Sequence, residues 1–214
     1  MADRVAEKRA AAEAAAALVR DGDRVGLGTG TTVAPLLPAL AARGLTIRCV
    51  ATSIATEVAA RALGIEVEPF EQLDALDIAI DGADQIDPEG WLVKGGGGAH
   101  TREKVVAAAA ARFVVIASGD KVVERIQPPI PLELLSFGLP ATLHALREAE
   151  LRHAPLSPDG GAIADYLGPV DTPAATAARL SATPGVIDHG LFGPDLVTDI
   201  LIARGTEIEH RTVE

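Results

Sequence analysis

Val25-Gly26-Leu27-Gly28-Thr29-Gly30-Thr31-Thr32 is a short apolar run that breaks into glycines and threonines just before the helix-prone stretch 33–42. Strand, Gly/Thr loop and helix entrance are the repeating parts of a parallel sheet covered by helices, and such a loop cradles phosphate with its backbone N–H groups. A purely structural tight turn would give the same local pattern. The loop is no dinucleotide fingerprint: Thr31 stands where G-x-G-x-x-G needs its last glycine, and no acidic residue ends the next strand near Val50. Nor does it carry the Gly-Lys-Ser/Thr of a nucleoside-triphosphate loop. Pro38 inside the following pattern predicts a regular helix that starts late or kinks.

Outward from this stretch the chain alternates. Helices are expected over 2–20, 32–43, 53–63 and 101–111, and strands over 23–27, 46–51, near 65–68, 77–81 and 113–117. That alternation predicts a Rossmann-like parallel sheet with helices on both faces. Gln127-Pro128-Pro129-Ile130-Pro131 interrupts it and is the best candidate boundary. Beyond lie strand 131–136, helix 139–150, strands 151–156 and 162–167, helix 173–182 and strand 186–191, a β-α-β-β-α-β order that reads as a smaller ferredoxin-like α+β domain. Leu196 to Ala203 reads as a strand returning to the first sheet. The expected organisation is therefore a catalytic domain of residues 1–130 plus 195–214, with 131–194 inserted.

Two further motifs bear chemistry. Asp77-Ile78-Ala79-Ile80-Asp81-Gly82-Ala83-Asp84 is an apolar strand whose C-terminal end delivers carboxylates, at the edge where open parallel sheets bind ligands. A solvated Asp-Gly turn is the bland alternative, and the three-residue spacing does not suit a calcium loop. Lys94-Gly95-Gly96-Gly97-Gly98-Ala99-His100-Thr101-Arg102-Glu103-Lys104 sets a cation, four glycines and a carboxylate at the mouth of an alanine-rich helix. Four glycines lose much conformational entropy on folding, so a bare loop seldom keeps them. Glu103 is placed in or near the first helical turn, beside unsatisfied N–H groups and the positive dipole end. A flexible linker with a dipole-complementing Glu is the alternative. One crevice could hold all three motifs.

Together, and in order along nearly the whole chain, these motifs resemble ribose-5-phosphate isomerase, type A. The family's phosphate-binding Gly-Thr-Gly-Ser/Thr-Thr is similar to Gly28-Thr29-Gly30-Thr31-Thr32, and its Asp-Gly-Ala-Asp to Asp81-Gly82-Ala83-Asp84. Its Lys-Gly-Gly-Gly and Thr-Arg-Glu-Lys match Lys94-Gly95-Gly96-Gly97 and Thr101 to Lys104. The resemblance implies that Glu103 is the catalytic base, with Asp81, Asp84 and Lys94 also catalytic. It implies that Lys121, after the next strand, binds substrate, and Pro131-Leu132-Glu133 is similar to the family's Pro-Val-Glu. Gln85 and His100 depart from the pattern, the second being expected as a partly exposed helix-entry side chain, and from Leu151 to Pro173 the match is loose. The implied activity interconverts D-ribose 5-phosphate and D-ribulose 5-phosphate through an enediolate, in the non-oxidative pentose phosphate pathway, with no cofactor and no metal. A homodimer or homotetramer is expected.

Composition fits such an enzyme without identifying it. The 214 residues are 48% hydrophobic and 23% charged, enough to bury a substantial core. Aromatic residues are sparse, so alanine and aliphatic packing must carry that core. The single cysteine, Cys49, excludes an internal disulfide, and scattered histidines do not suggest zinc. A net charge of −11 repels nucleic acid and anionic membranes, so neither is an expected partner, whereas an anionic sugar phosphate requires a local field from loop N–H groups, Lys94 and Lys121. The Arg/Ala-rich N-terminal stretch is broken by Asp3, Glu7 and Glu13, unlike a transit peptide, and the cytoplasm is the expected location. Two other classes use similar scaffolds. A sugar-phosphate-sensing domain would be expected to carry a DNA-binding helix-turn-helix, and an amino-sugar phosphate deaminase or transferase would be expected to differ around Glu103.

Overall fold

The computed structural model describes residues 2–213, with the side chains of residues 2 and 3 left aside. Helix α1 (Ala2–Ala16) is followed by β1 (Arg24–Leu27), α2 (Leu36–Ala41), β2 (Arg48–Ala51) and α3 (Ile54–Ala62). Strand β3 (Ile78–Gly82) leads into a small hairpin, β4 (Gln85–Ile86) and β5 (Leu92–Val93), then α4 (His100–Ala108) and β6 (Phe113–Ser118). There follow β7 (Ile130–Leu134), α5 (Leu139–Leu146), β8 (Ala149–Leu151), β9 (Ala162–Tyr166), α6 (Pro173–Ser181) and β10 (Val186–His189). Strands β11 (Leu191–Phe192), β12 (Asp199–Arg204) and β13 (Glu207–Thr212) complete the order.

Internal contacts divide the chain into two compact units. The first holds the residues up to Ala83, Arg102–Val122 and those from Pro194 onward; the second holds Asp84–Thr101 and Val123–Gly193. This division differs from the expected 1–130 plus 195–214, because β4 and β5 pair with β11 in one three-stranded sheet and so draw Asp84–Thr101 into the second unit.

In the first unit a six-stranded sheet runs β13-β12-β6-β3-β1-β2, parallel throughout except for the edge strand β13. Its central strands are buried along their whole length, as a sheet covered on both faces requires. Side chains alternate between the faces. Val25, Leu27, Ile78 and Ile80 join the core beneath α1 and α2, where fully buried alanines (Ala11, Ala12 and Ala15) let the helix approach closely. Gly26 and Ala79 face the other way, toward α4: a Cβ on Gly26 would stand 2.9 Å from that of Ala79 and closer still to Val106. Helix α4 therefore lies tightly on β1 and β3. Pro38 has the expected consequence, with turns over 31–35 and regular helix only from Leu36.

The second unit carries a four-stranded antiparallel sheet in the order β10-β7-β9-β8, with α5 and α6 as its crossovers. Numbered within the unit this is 4-1-3-2, the ferredoxin-like arrangement. Its core gathers Ile130, Leu132, Leu134, Ala164, Tyr166 and Leu180. Some expectations are corrected. Residues 65–68 make only an isolated bridge, Val67 to Cys49, rather than a strand. Helix α1 stops at Ala16 instead of residue 20, and α5 stops at Leu146 instead of 150, because Ala149–Leu151 is taken into β8.

One ion pair locks the exit of α4 to the sheet. Arg112 donates through Nε and Nη2 to the Asp199 carboxylate at 2.7 and 2.8 Å, and His210 Nε2 lies 2.6 Å from Asp199 Oδ1. The Arg112 hydrogen bond, ahead of that from His210, holds the Asp199 carboxyl far below the usual carboxylate range. A depressed folded-state pKa contributes stability that is complete above the unfolded value of about 3.9 and is lost as pH falls through the folded value. Asp199→Asn is expected to lower stability by roughly 1–3 kcal/mol near neutral pH, with the deficit shrinking once urea melts are run in acid. A deficit independent of pH would contradict this account.

Candidate active site

In parallel sheets the helices run against the strands, so strand C-termini and helix N-termini share one edge. On the first unit that edge collects the Gly28–Thr32 loop after β1, Asp81 near the end of β3, Glu103 in the first turn of α4 and Lys121 just after β6. Face alternation narrows the placement. Asp81 shares the face of Ala79, toward α4, and Glu103 lies one turn ahead of Val106 on the same side of that helix. Both carboxylates are buried, Asp81 at 3% and Glu103 at 5% exposure.

The loop is braced from beneath. Asp81 Oδ1 accepts N–H bonds from Thr29 at 3.1 Å and Gly82 at 2.7 Å, which fixes the carboxylate plane against the loop. Only glycine fits at position 28, since a Cβ there would overlap the Asp81 carboxylate and stand 2.6 Å even from its Cβ. Gly30 adopts φ +104°, a left-handed turn that turns the chain into α2. Gly82 is buried with Thr32 beside it.

Hydroxyl groups absent from the sequence expectation complete the brace. Thr29 Oγ1 lies 2.7 Å from Thr52 Oγ1, and Thr56 Oγ1 donates to the Gly28 carbonyl at 2.9 Å. Ser53 caps α3 by accepting from Thr56 N–H, which holds that hydroxyl in place. Lys8, on α1, donates to Thr31 Oγ1 at 2.7 Å and brings a cation to the loop. Thr52, Thr56 and Lys8 lie more than twenty positions from the residues they touch. No local spacing could have announced them.

In the second unit, Lys94 is 3% exposed at the end of the small hairpin, with Nζ 5.4 Å from the centre of the buried Phe192 ring. The ring face attracts the ammonium. Asp84 is exposed and accepts the Gly96 N–H at 2.9 Å, while Ala83, the last residue of the first unit's segment, is buried. Gly95 turns at φ +104°, and a Cβ there would stand 2.7 Å from His100 Nδ1 and 2.8 Å from Pro131 Cβ. Gly96 and Gly97 are exposed. His100 corrects its expectation: it has no exposed surface, because the imidazole fills the space that Gly95 leaves. Glu133, also buried, accepts from Thr101 Oγ1 at 2.5 Å and from Ser157 Oγ, so the first residues of α4 are tied to β7.

Other constellations carry less. Ser181 Oγ lies 3.0 Å from His189 Nε2, but Leu191 N–H donates to Nδ1 at 3.2 Å. Nε2 therefore holds the imidazole hydrogen and cannot take one from serine, the reverse of a nucleophile's base. Among the described residues no group of His, Cys, Asp and Glu is arranged to hold a metal ion, and no helix is long and apolar enough to cross a membrane. Cys49 is buried in β2, where desolvation first, then Glu68 and Glu66, pushes its thiol up to about 12. It is an inert packing residue.

A family model described as "Ribose 5-phosphate isomerase A (phosphoriboisomerase A)" matches residues 48–207, and one described as "DeoR C terminal sensor domain" matches the shorter stretch 3–69. "Ribose-5-phosphate isomerase A" of Sphingopyxis alaskensis is 42% identical, with 99% of each chain covered. The solved ribose 5-phosphate isomerase A from Neisseria gonorrhoeae superposes with a TM-score of 0.93 at 29% identity, covering 99% of this chain and 98% of that one. A solved D-ribose-5-phosphate isomerase in complex with phospho-erythronic acid gives a TM-score of 0.90 at 30% identity, covering 96% of this chain and 97% of that one. With a matching family model over most of its length and relatives this similar from end to end, the chain belongs to the ribose 5-phosphate isomerase A family.

Proposed function

We propose that this chain interconverts D-ribose 5-phosphate and D-ribulose 5-phosphate by proton transfer through an enediolate, without metal or redox cofactor. The observation that carries the reading is the edge of the first unit, where a braced Gly/Thr loop adjoins buried Asp81 and the buried Glu103 of a helix entrance. Gly28 to Thr32, joined by Lys8 and Lys121, receives the phosphate through N–H, hydroxyl and ammonium donors. The Glu103 carboxylate takes the C2 proton of the open-chain aldose. The C–H electron pair becomes the C1–C2 double bond, and the carbonyl pair moves to O1. Lys94 and the amides of Gly95 and Gly97 stabilise that oxygen charge, as preorganised donors do. The O2 proton passes to O1, a transfer assigned to Asp81, and Glu103 returns its proton to C1. Asp84, which holds Gly96 N–H, orients the glycine loop and meets sugar hydroxyls. Gly82 and Ala83 carry the backbone between the two aspartates past the substrate.

The same proposal has the chain working in the cytoplasm as a homodimer or homotetramer. Phe137, 86% exposed, is the kind of apolar side chain that a subunit contact covers. The test of the activity is formation of ribulose 5-phosphate from ribose 5-phosphate by the purified chain, with no cofactor added and a chelator present. Turnover is expected to survive exhaustive chelation. Loss in chelator with recovery on adding a divalent ion would overturn the metal-free mechanism and recast Asp81 and Asp84 as ligands.

A further inference from the structure

Gly95 to Gly98 is the segment of the second unit whose shape most needs a cause. Its glycines adopt left-handed turns at Gly95 (φ +104°) and Gly98 (φ +73°), and a run of such residues resists ordering unless something external fixes it. Asp84 holds the Gly96 N–H, and one further side chain grips the carbonyls of the run. Arg152, in the segment after β8, donates from Nη1 to the carbonyl oxygens of Gly95 at 2.8 Å and Gly96 at 3.1 Å. The rest of the guanidinium is gripped by Asp165 on β9, Nε to Oδ2 at 2.7 Å and Nη2 to Oδ1 at 2.6 Å. The pair is mostly shielded, each side chain at 21% exposure, and one end of the fork is anchored in a sheet while the other holds the loop.

Peptide geometry converts this grip into aim. A trans peptide points its C=O and the following N–H in opposite directions. With the Gly95 carbonyl turned to Arg152, the Gly96 N–H must point away from it, and it does so onto Asp84 Oδ2 at 2.9 Å. With the Gly96 carbonyl turned to Arg152, the Gly97 N–H is directed away in the same sense.

We propose that Arg152, held by Asp165, is a positioning residue that aims the Gly96 N–H at Asp84 and the Gly97 N–H away from itself, as the donor the glycine loop offers, and so sets turnover without touching substrate. This rests on the isomerase reading for its kinetic consequence but not for its structural one. Lysine cannot substitute, since it offers a point charge without the planar fork that serves a carboxylate and two carbonyls together.

The test uses Arg152→Ala, Arg152→Lys and Asp165→Asn in the full chain. Without any ligand, amide hydrogen exchange at Gly96 and Gly98, whose N–H groups are bonded to Asp84 and to the Gly95 carbonyl, is expected to quicken by about tenfold or more when read by nuclear magnetic resonance, while Thr29 and Gly82 amides keep wild-type rates. With ribose 5-phosphate, kcat is expected to fall by roughly 10–10², while inhibition by inorganic phosphate, a probe of the Gly28–Thr32 loop, stays at its wild-type strength. Wild-type exchange at Gly96 and Gly98 in a folded variant overturns the proposal. So does a loss of phosphate inhibition as large as the loss of kcat, which marks general loosening. Should Arg152→Ala fail to fold, Arg152→Lys and Asp165→Asn decide by the same readings. If wild type itself makes no ribulose 5-phosphate, the isomerase reading fails, and the exchange rates still judge Arg152.

Discussion

Glu103→Gln is expected to lower isomerase turnover by about 10²–10⁴, the usual range for losing a positioned general base, while ribose 5-phosphate still binds. The amide keeps the size and hydrogen-bonding capacity of the carboxyl but cannot accept the C2 proton. Phosphate and hydroxyl contacts are assigned elsewhere, to Gly28 through Thr32, Lys121 and the aspartates. Calorimetric titration of the variant alongside its kinetics separates the two effects. Near-normal turnover would leave Glu103 as a helix residue that only complements the dipole of α4.

Gly28→Ala is expected to do comparable damage by a different route. The added Cβ collides with the root of Asp81 as well as its carboxylate, 2.6 Å from the Asp81 Cβ, so rotation of a flexible tip cannot relieve the overlap. Either Asp81 loses its bonds from Thr29 and Gly82 N–H or the loop lifts away from β3. Displacing reacting groups by about 1 Å costs on the order of 10² in rate, and overpacking adds roughly 1–3 kcal/mol of destabilisation. Kinetics and thermal melts measure the two. An alanine variant with wild-type kcat/KM would show that Asp81 does not need its place beside the loop.

Much of this arrangement was legible in the sequence because it depends on short contiguous patterns. The apolar runs 25–27, 78–80 and 113–117 announced a covered parallel sheet, and the glycines and carboxylates at their ends marked the edge to which the proposed site is assigned. The β-α-β-β-α-β order after Pro131 was readable for the same reason, as was a strand within Leu196 to Ala203 returning to the first sheet, although β12 itself runs Asp199–Arg204. Other parts were not. Strands β4, β5 and β11 have two residues each, too few to show a period, yet their pairing moves Asp84–Thr101 into the second unit. Strand β13, Glu207–Thr212, has little burial and many charges, so it carries no apolar alternation; pairing with β12 alone makes it a strand. His100 reads as a surface residue in the sequence because the vacancy it fills is left by a glycine five positions earlier. Arg152 sits in the stretch where the family resemblance is loosest, and its partners are two carbonyls and an aspartate distant in sequence.

The central claim is that a carboxylate at the entrance of α4 carries one proton from C2 to C1. Isomerisation of ribose 5-phosphate in deuterated water, with the position of label read by nuclear magnetic resonance, tests it most directly. The account predicts that wild type places solvent deuterium at C1 of ribulose 5-phosphate, to the extent that Glu103 exchanges before returning its proton, and that Glu103→Gln gives almost no isomerisation or exchange. Deuterium incorporation and turnover at the wild-type rate in Glu103→Gln would contradict it and move the base to Asp81, Asp84 or His100.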